Sequence, residues 1–171
     1  MQKYVFKPYN SLFIDLFENE KNRIKNGIKE KIKIEHIGST AVPGLAGKGI
    51  IDIVIACNRK DSNIVSKELQ NIGYEFRPTA STPERLFHRM DLPDPLEQLR
   101  SYHVHLTYYN SIDWQETIRF RDYLKNHKED REKYANLKKI AAESVNEDGK
   151  KYRKMKEPLI QEIIKKAFSK K

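Results

Sequence analysis

One segment of the chain joins a glycine-rich loop to a strand that carries a single carboxylate. The loop runs from Gly38 to Gly49 and contains four glycines, and Asp52 follows inside the apolar run of residues 50–55. Glycine adopts backbone conformations that are closed to residues with a Cβ, so this loop can direct backbone N–H groups at an anion. An ionised carboxylate in an apolar strand requires a metal, a cation or hydrogen-bond donors beside it. The segment therefore predicts phosphate binding at the loop and chemistry at Asp52.

Spacing excludes two common phosphate-binding motifs. A P-loop ending in the Gly47-Lys48 pair requires glycine at position 42 and a hydroxyl residue at 49, where the chain has Val42 and Gly49. The dinucleotide-binding fingerprint has other glycine intervals and leads into a helix, whereas this loop leads into a strand. Lys48 remains a candidate phosphate ligand as a point charge, with an idle, solvent-exposed loop lysine as the alternative.

A later strand alternates polar with aliphatic side chains, and its polar residues are His103, His105 and Thr107. Alternate residues share one face of a strand, so the two imidazoles can converge with Asp52, and His36 is a further candidate ligand. Two imidazoles and a carboxylate favour Mn²⁺ or Zn²⁺ over Mg²⁺. Simple hydrogen bonding within a polar sheet face is the equal alternative. A His/Asp metal-dependent phosphoesterase is a minor alternative, since its His-x-Thr motif occurs once here, at His105.

The formal net charge of +9 is concentrated at one end of the chain. Segment 150–171 holds nine basic and two acidic residues, so it carries +7 of that charge. A basic terminal helix can steer a protein toward RNA or DNA phosphates, but a solvated helix face is the commoner cause. Weak contact with nucleic acid through this segment is therefore an open alternative.

Length and composition predict one domain over residues 1–171 in the cytoplasm. A chain of 171 residues fits a single domain with its own core. Its one cysteine, Cys57, excludes a disulfide framework and indicates a reducing compartment. The sequence shows neither an apolar run that could span a bilayer nor the apolar core of a signal peptide, so no membrane association is expected.

Hydrophobic periodicity predicts helices around one sheet. Strands are expected over residues 31–37, 50–57, 74–77, 85–92 and 102–109. Helices are expected over 9–28, from Ser62 to Gly73, after a Ser111 cap, and through an apolar stripe of Tyr134, Leu137, Ile140, Ala141 and Val145. Pro158 is expected to divide or kink the final helical segment. This order of elements indicates an α+β domain.

Four stretches of the chain together resemble the GrpB family over nearly its whole length. They are residues 34–48, the Ile50-Ile51-Asp52 strand, residues 100–106 around the two histidines, and Phe120-Arg121-Asp122-Tyr123-Leu124. That family is assigned to the nucleotidyltransferase superfamily, which implies a mixed sheet, a Gly-Ser loop that binds the phosphates of a nucleoside triphosphate, and strand carboxylates that hold divalent metal.

The resemblance assigns roles to particular residues. Gly38 and Ser39 match the phosphate-binding pair, and Asp52 matches the first metal carboxylate and is the candidate catalytic residue. Thr40, Lys48 and Arg100 complete the candidate nucleotide-binding set, with pairing to Asp91, Asp94 or Glu97 as the alternative for Arg100. The superfamily's second carboxylate would stand at position 54, where this chain has a valine.

The leading interpretation is a protein that binds a nucleoside triphosphate with Mg²⁺, Mn²⁺ or Zn²⁺. It would transfer a nucleotidyl group to an unidentified acceptor, if the valine at 54 leaves catalysis intact. The alternative is a non-catalytic nucleotide- or RNA-binding module on the same fold. The sequence does not distinguish between oligomeric states.

Overall fold

Five strands form one mixed sheet in this computed structural model, which describes residues 6–145 and 148–169. The strands are β1 (Lys33–Ile37), β2 (Ile51–Cys57), β3 (Glu75–Phe76), β4 (Leu86–Pro93) and β5 (Leu99–Tyr108). Their order in the sheet is β1-β2-β5-β4-β3. Strands β2 and β5 are parallel, and the other neighbouring pairs are antiparallel. The predicted mixed sheet is confirmed.

Five helices accompany the sheet in the described part of the chain. They are α1 (Leu12–Gly27), α2 (Ser62–Asn71), α3 (Ile112–Asn126), α4 (Lys128–Ser144) and α5 (Gly149–Ser169). Helices α1 and α2 pack on one sheet face, where Phe13, Phe17 and Leu69 join the buried isoleucines of β2. Helices α3 to α5 form a second core with the glycine-rich loop, through Val42 and Leu45. Together with the sheet, these helices confirm the α+β class.

Strand β2 alternates between the two faces of the sheet. Ile51, Ile53 and Ile55 are fully buried in the core with α1 and α2. Asp52 and Val54 therefore lie on the opposite face, toward the other helices. The same alternation on β5 sends Tyr102 to the first core and its histidines to the face of Asp52. The sheet thus separates an apolar core from a polar face.

The sequence made one prediction about the start of α3 and another about Pro158 in the last helical segment. The Ser111 hydroxyl oxygen accepts a hydrogen bond from the Trp114 backbone N–H at 3.1 Å, so the predicted cap of α3 is present. Of the two outcomes expected at Pro158, division of the last segment does not occur, because α5 continues through this residue. Proline removes one intrahelical hydrogen bond there. Packing of Tyr152 with Ala141 before the proline, and of Ile163 in the second core after it, holds the helix on both sides.

Cys57 is a free, buried thiol at the end of β2. Burial raises its pKa to about 11, so it is held as the uncharged thiol. Across the part of the chain that the structure describes, no helix combines the length and the apolar character needed to cross a bilayer.

Candidate functional site

Pairing of β2 with β5 brings Asp52 beside both predicted histidines. Asp52 lies opposite His103 in the parallel register, and Val54 lies opposite His105. The Asp52 Oδ1 atom is 3.4 Å from His103 Nδ1 and 3.6 Å from His105 Nε2. Burial disfavours ionisation of Asp52, but hydrogen bonding from the two imidazoles outweighs it and holds the pKa of this carboxyl well below its usual range. Asp52 is therefore a carboxylate at neutral pH.

Arg85 determines which nitrogen of His105 carries the proton. The Arg85 Nε–H donates to His105 Nδ1 at 3.1 Å, so this nitrogen is the acceptor. The proton of a neutral imidazole then sits on Nε2, which faces Asp52. Burial lowers the pKa of His105, and the Arg85 charge lowers it further. His105 is thus arranged as a neutral hydrogen-bond donor toward Asp52.

This arrangement does not fit the predicted transition-metal site of Asp52, His103 and His105. A metal-binding imidazole offers one bare nitrogen and donates from the other to a carboxylate or carbonyl, whereas His105 accepts from an arginine. Among residues 6–145 and 148–169, no three His, Cys, Asp or Glu side chains group closely enough to hold a metal ion. The side chain at position 54 is that of Val54, which has no oxygen atom that could bind a metal ion. What remains is one oxygen ligand, the carboxylate of Asp52, which is the type of group that a hard cation such as Mg²⁺ prefers.

The glycine-rich loop folds against Asp52. Gly38 has φ of 74° and ψ of −173°, a conformation that is essentially restricted to glycine. A Cβ on Gly38 would lie 2.6 Å from Asp52 Oδ2, so only glycine allows the loop to approach the carboxylate. Ser39 follows and in turn packs against Gly47, whose missing Cβ leaves room for the serine hydroxyl. The predicted Gly38-Ser39 pair is therefore in place next to Asp52.

A cleft of about 740 Å³ opens between this sheet face and helices α4 and α5. Its lining includes Gly38, Ser39, Asp52 and both histidines. Five cationic side chains also line the cleft: Lys48, Arg85, Lys138, Arg153 and Lys156. Of the described residues that line it, Asp52 is the one carboxylate. Positive charge therefore dominates the cleft, as expected for a site that binds a polyanion.

The three lysines among these cationic side chains lie close together. Lys48 Nζ and Lys156 Nζ lie 5.2 Å and 4.1 Å from the centre of the same ring, that of Tyr152. Lys138 donates a hydrogen bond to the Ala46 carbonyl oxygen at 3.1 Å, at the back of the loop. Burial and then repulsion by Lys156 lower the pKa of Lys138 to about 7. Burial and then repulsion by Lys48 lower the pKa of Lys156 to about 8.

His36, Thr40 and Arg100, which the sequence offered as ligands, lie elsewhere. His36 is opposite Ile53 on the apolar face of the sheet, stacks on Phe17 with 4.6 Å between ring centres, and has its pKa lowered to about 4 by burial. The hydroxyl of Thr40 is buried and donates to the Ile50 carbonyl at 2.9 Å. His36 as a metal ligand and Thr40 as a phosphate ligand are therefore corrected to structural roles.

Arg100 is also directed away from the cleft. Its guanidinium is 2% exposed, donates to the Asp94 carboxylate at 2.5 and 3.0 Å, and donates to the Gly49 carbonyl at 2.6 Å. Asp94 also caps the turn by accepting from the Leu96 and Glu97 backbone N–H groups. The alternative pairing of Arg100 is the one observed, and its expected role as a phosphate ligand is corrected.

The sequence analysis did not propose three cationic residues of the cleft as ligands: Lys138, Arg153 and Lys156. Lys138 stands on the buried stripe of α4 together with Tyr134, Ala141 and Val145, while Ile140, expected on that stripe, is 56% exposed. A lysine at helical spacing among buried residues was the available signal. Lys156 lies four residues after the buried Tyr152 and seven before the buried Ile163 of α5, so the same signal was present there within a run of basic residues.

The chain belongs to the GrpB family. The family described as "GrpB protein" matches residues 3–166. A UPF0157 protein of Halalkalibacterium halodurans is 31% identical over 162 residues, covering 93% of this chain and 80% of that protein. The Glutamate-rich protein GrpB of Alkalihalophilus pseudofirmus is 32% identical over 154 residues and 87% of each chain.

A solved structure agrees with this family assignment. The conserved protein GrpB from Enterococcus faecalis superposes with a TM-score of 0.81 at 30% identity, covering 97% of this chain and 98% of that chain. The Cid1 poly(U) polymerase superposes with a TM-score of 0.49 at 13% identity, covering 78% of this chain and 45% of that chain. The second likeness is too weak to carry an argument.

Proposed function

We propose that the cleft binds the triphosphate of a nucleoside triphosphate. The observation that carries this proposal is the set of five cationic side chains that surround Gly38, Ser39 and one carboxylate. Phosphate oxygens accept hydrogen bonds from backbone N–H groups and from lysine and arginine. The cleft supplies both kinds of cationic side chain, and the glycine-rich loop residues Gly38 and Ser39 also line it. The motifs shared with the nucleotidyltransferase superfamily, Gly38-Ser39 and Asp52, support the same ligand.

The charge distribution favours a polyphosphate over a single phosphate. Lys138 and Lys156 are partly discharged in the free protein because they are buried beside other cations. A ligand with several negative charges removes this repulsion and restores the full charge of both lysines. The cations come from the loop, from the turn before β4, from α4 and from α5, so an extended anion contacts more of them than a compact one does.

A divalent cation would enter with the triphosphate and take Asp52 as its protein carboxylate. Such a metal supplies neutralisation of phosphate charge during transfer. His105 keeps Asp52 ionised and oriented, and Arg85 keeps His105 in the donating tautomer. Transfer of the nucleotidyl group to an acceptor is the finer part of this proposal, and it relies on Asp52 alone where two carboxylates normally share the metal.

A non-catalytic nucleotide- or RNA-binding module is the second candidate. Helix α5 divides its basic residues between two surfaces: Arg153 and Lys156 line the cleft, while Lys150, Lys151 and Lys154 are exposed beside it. An extended polyanion could follow these exposed lysines out of the cleft. Steep salt dependence of RNA binding, lost when the exposed lysines are replaced, would favour this candidate over nucleotidyl transfer.

Removal of one cleft lysine tests the binding site. We expect Lys156→Met to weaken tripolyphosphate binding about tenfold, because one charge-assisted contact is lost. Isothermal titration calorimetry measures the dissociation constants, first with tripolyphosphate and then with ATP, GTP, CTP and UTP. Lys154→Met removes an exposed lysine from the same helix and should change affinity less than twofold. Equal losses of affinity in the two variants would show that the ligand is attracted to the charge of α5 in general, and would contradict binding in the cleft.

Replacement of Asp52 separates metal binding from phosphate binding. Without divalent metal, Asp52→Asn should bind tripolyphosphate as tightly as the unaltered chain or more tightly, because the change removes a negative charge from the cleft. With Mg²⁺ or Mn²⁺ present, the unaltered chain should gain affinity and Asp52→Asn should gain less. Identical metal dependence in both proteins would rule out Asp52 as the metal's carboxylate.

A further inference from the structure

A second cavity, here called the side pocket, adjoins the cleft at Ser39. It has a volume of about 330 Å³ and lies between the glycine-rich loop and helices α3 to α5. The side pocket and the cleft share Gly38, Ser39, Arg85 and Tyr134 in their linings. An occupant of the side pocket would therefore lie next to the proposed phosphate ligand.

The side pocket has the size and the walls of a small-molecule site. Its volume falls at the lower end of the range for pockets that bind small organic ligands, about 300–1,000 Å³. Apolar side chains supply much of its wall, among them Leu45, Phe120 and Ile164. A ligand of this site would carry an apolar body of about the size of one aromatic ring or slightly more.

The polar groups of the side pocket include hydrogen-bond acceptors that lack donors. Asp113 Oδ1 accepts from Arg85 Nη1 at 3.1 Å, but Asp113 Oδ2 is buried and has no hydrogen-bond partner among the described residues. Glu116 lies one helical turn further along α3 and lines the same pocket. Within the described part of the chain, its carboxylate makes no hydrogen bond or ion pair. A buried acceptor without a donor is costly, and native structures rarely keep one.

The arginines that line the side pocket are already engaged. Arg85 donates to His105 and to Asp113. Arg121 donates to the Glu35 carboxylate at 2.6 Å and to Asp122 at 2.8 Å. The pocket wall therefore keeps one buried acceptor without a donor, Asp113 Oδ2, and one half-buried carboxylate without a cation beside it in the described part of the chain, that of Glu116.

We propose that the side pocket binds a small organic cation, with an apolar body against Phe120 and a protonated amine at the carboxylates of Asp113 and Glu116. The ammonium group supplies three donors, and its charge matches the pair of carboxylates. This preference is opposite to that of the cationic cleft next to it. Binding at the side pocket does not depend on the proposed nucleotide, although the shared wall places the amine ligand beside it.

Titration with benzylamine tests this site, because that molecule joins one aromatic ring to a protonated amine. In ¹H–¹⁵N correlation spectra without nucleotide, we expect saturable shifts of α3 amides near Glu116 and Phe120, with a dissociation constant of about 1 mM. Benzyl alcohol and benzoate have the same ring with a neutral or an anionic group, and should bind at least about tenfold more weakly. Shifts that spread over the surface, or equal binding of benzoate, would overturn the proposal.

Two variants assign the interaction to the carboxylates. Glu116→Gln should weaken benzylamine binding about tenfold, and Asp113→Asn should weaken it as well, because each removes one charge-assisted acceptor. Glu129→Gln changes an exposed glutamate of α4 outside the pocket and serves as the control. Unchanged affinity in both pocket variants would overturn the proposal. Tripolyphosphate titration of the same samples reports on the cleft separately, so failure of one proposal is distinguishable from failure of the other.

Discussion

Tripolyphosphate binding is expected to weaken about 100-fold between about pH 6.5 and about pH 8.5. Burial and neighbouring lysines lower the pKa of Lys138 to about 7 and that of Lys156 to about 8 in the free protein. A bound polyanion favours the charged ammonium, so the complex keeps protons that the free protein loses in this range. Binding therefore takes up protons, and affinity falls as pH rises through these two values. Calorimetry at both pH values measures the change.

A double variant, Lys138→Met with Lys156→Met, controls for the titration of tripolyphosphate itself. Its affinity should be low at both pH values and should not fall with pH, because neither lysine is present to lose a proton. Calorimetry in buffers of different ionisation enthalpy should also show net proton uptake by the unaltered chain. A flat pH profile for the unaltered chain would exclude these lysines as the groups that contact the ligand.

Arg100→Met is expected to lower the free energy of unfolding by about 3–5 kcal/mol without weakening tripolyphosphate binding. The side chains of Arg100 and Asp94 are 2% and 0% exposed, so removal of the arginine leaves a buried carboxylate without its partner. Urea denaturation measures the loss of stability. Calorimetry at a temperature where the variant remains folded measures the affinity, which should stay within about twofold of the original.

Arg89→Met provides the matched control for this effect. Arg89 pairs with Asp91 at 3.1 Å, but both side chains are more than a third exposed. An exposed pair contributes about 0–1 kcal/mol, so this variant should unfold at nearly the same urea concentration as the unaltered chain. Loss of phosphate affinity in Arg100→Met but not in Arg89→Met would instead return Arg100 to the binding site.

Asp52 and its two histidines could be placed together from the sequence because alternation fixes the faces of a single strand. Asp52 is the polar residue of a buried strand, and polar side chains on neighbouring central strands collect on the same face. The position of His36 could not be obtained in this way. It depends on the register between β1 and β2, and a shift of one residue would have moved His36 from beside Ile53 to the face of Asp52.

The cationic wall depends on tertiary packing rather than on local pattern. Lys138 and Lys156 reach the sheet only because α4 and α5 fold back across it, and nothing in a single helix specifies that angle. Arg100 was ambiguous for a related reason. An arginine near acidic residues can hold either a ligand or its neighbours, and here complete burial with Asp94 decides between them.

Helix α5 supplies Arg153 and Lys156 to the cleft and Ile163 to the second core, so one element contributes both to the proposed binding site and to packing. Docking of α5 on the rest of the protein and binding of a ligand in the cleft are thermodynamically linked, so each must strengthen the other by the same free energy. Because α5 follows every other helix and strand in the chain, the cleft remains incomplete during synthesis until this helix has been made and has docked. A polyanion present at that stage would act as a folding cofactor for the C-terminal region.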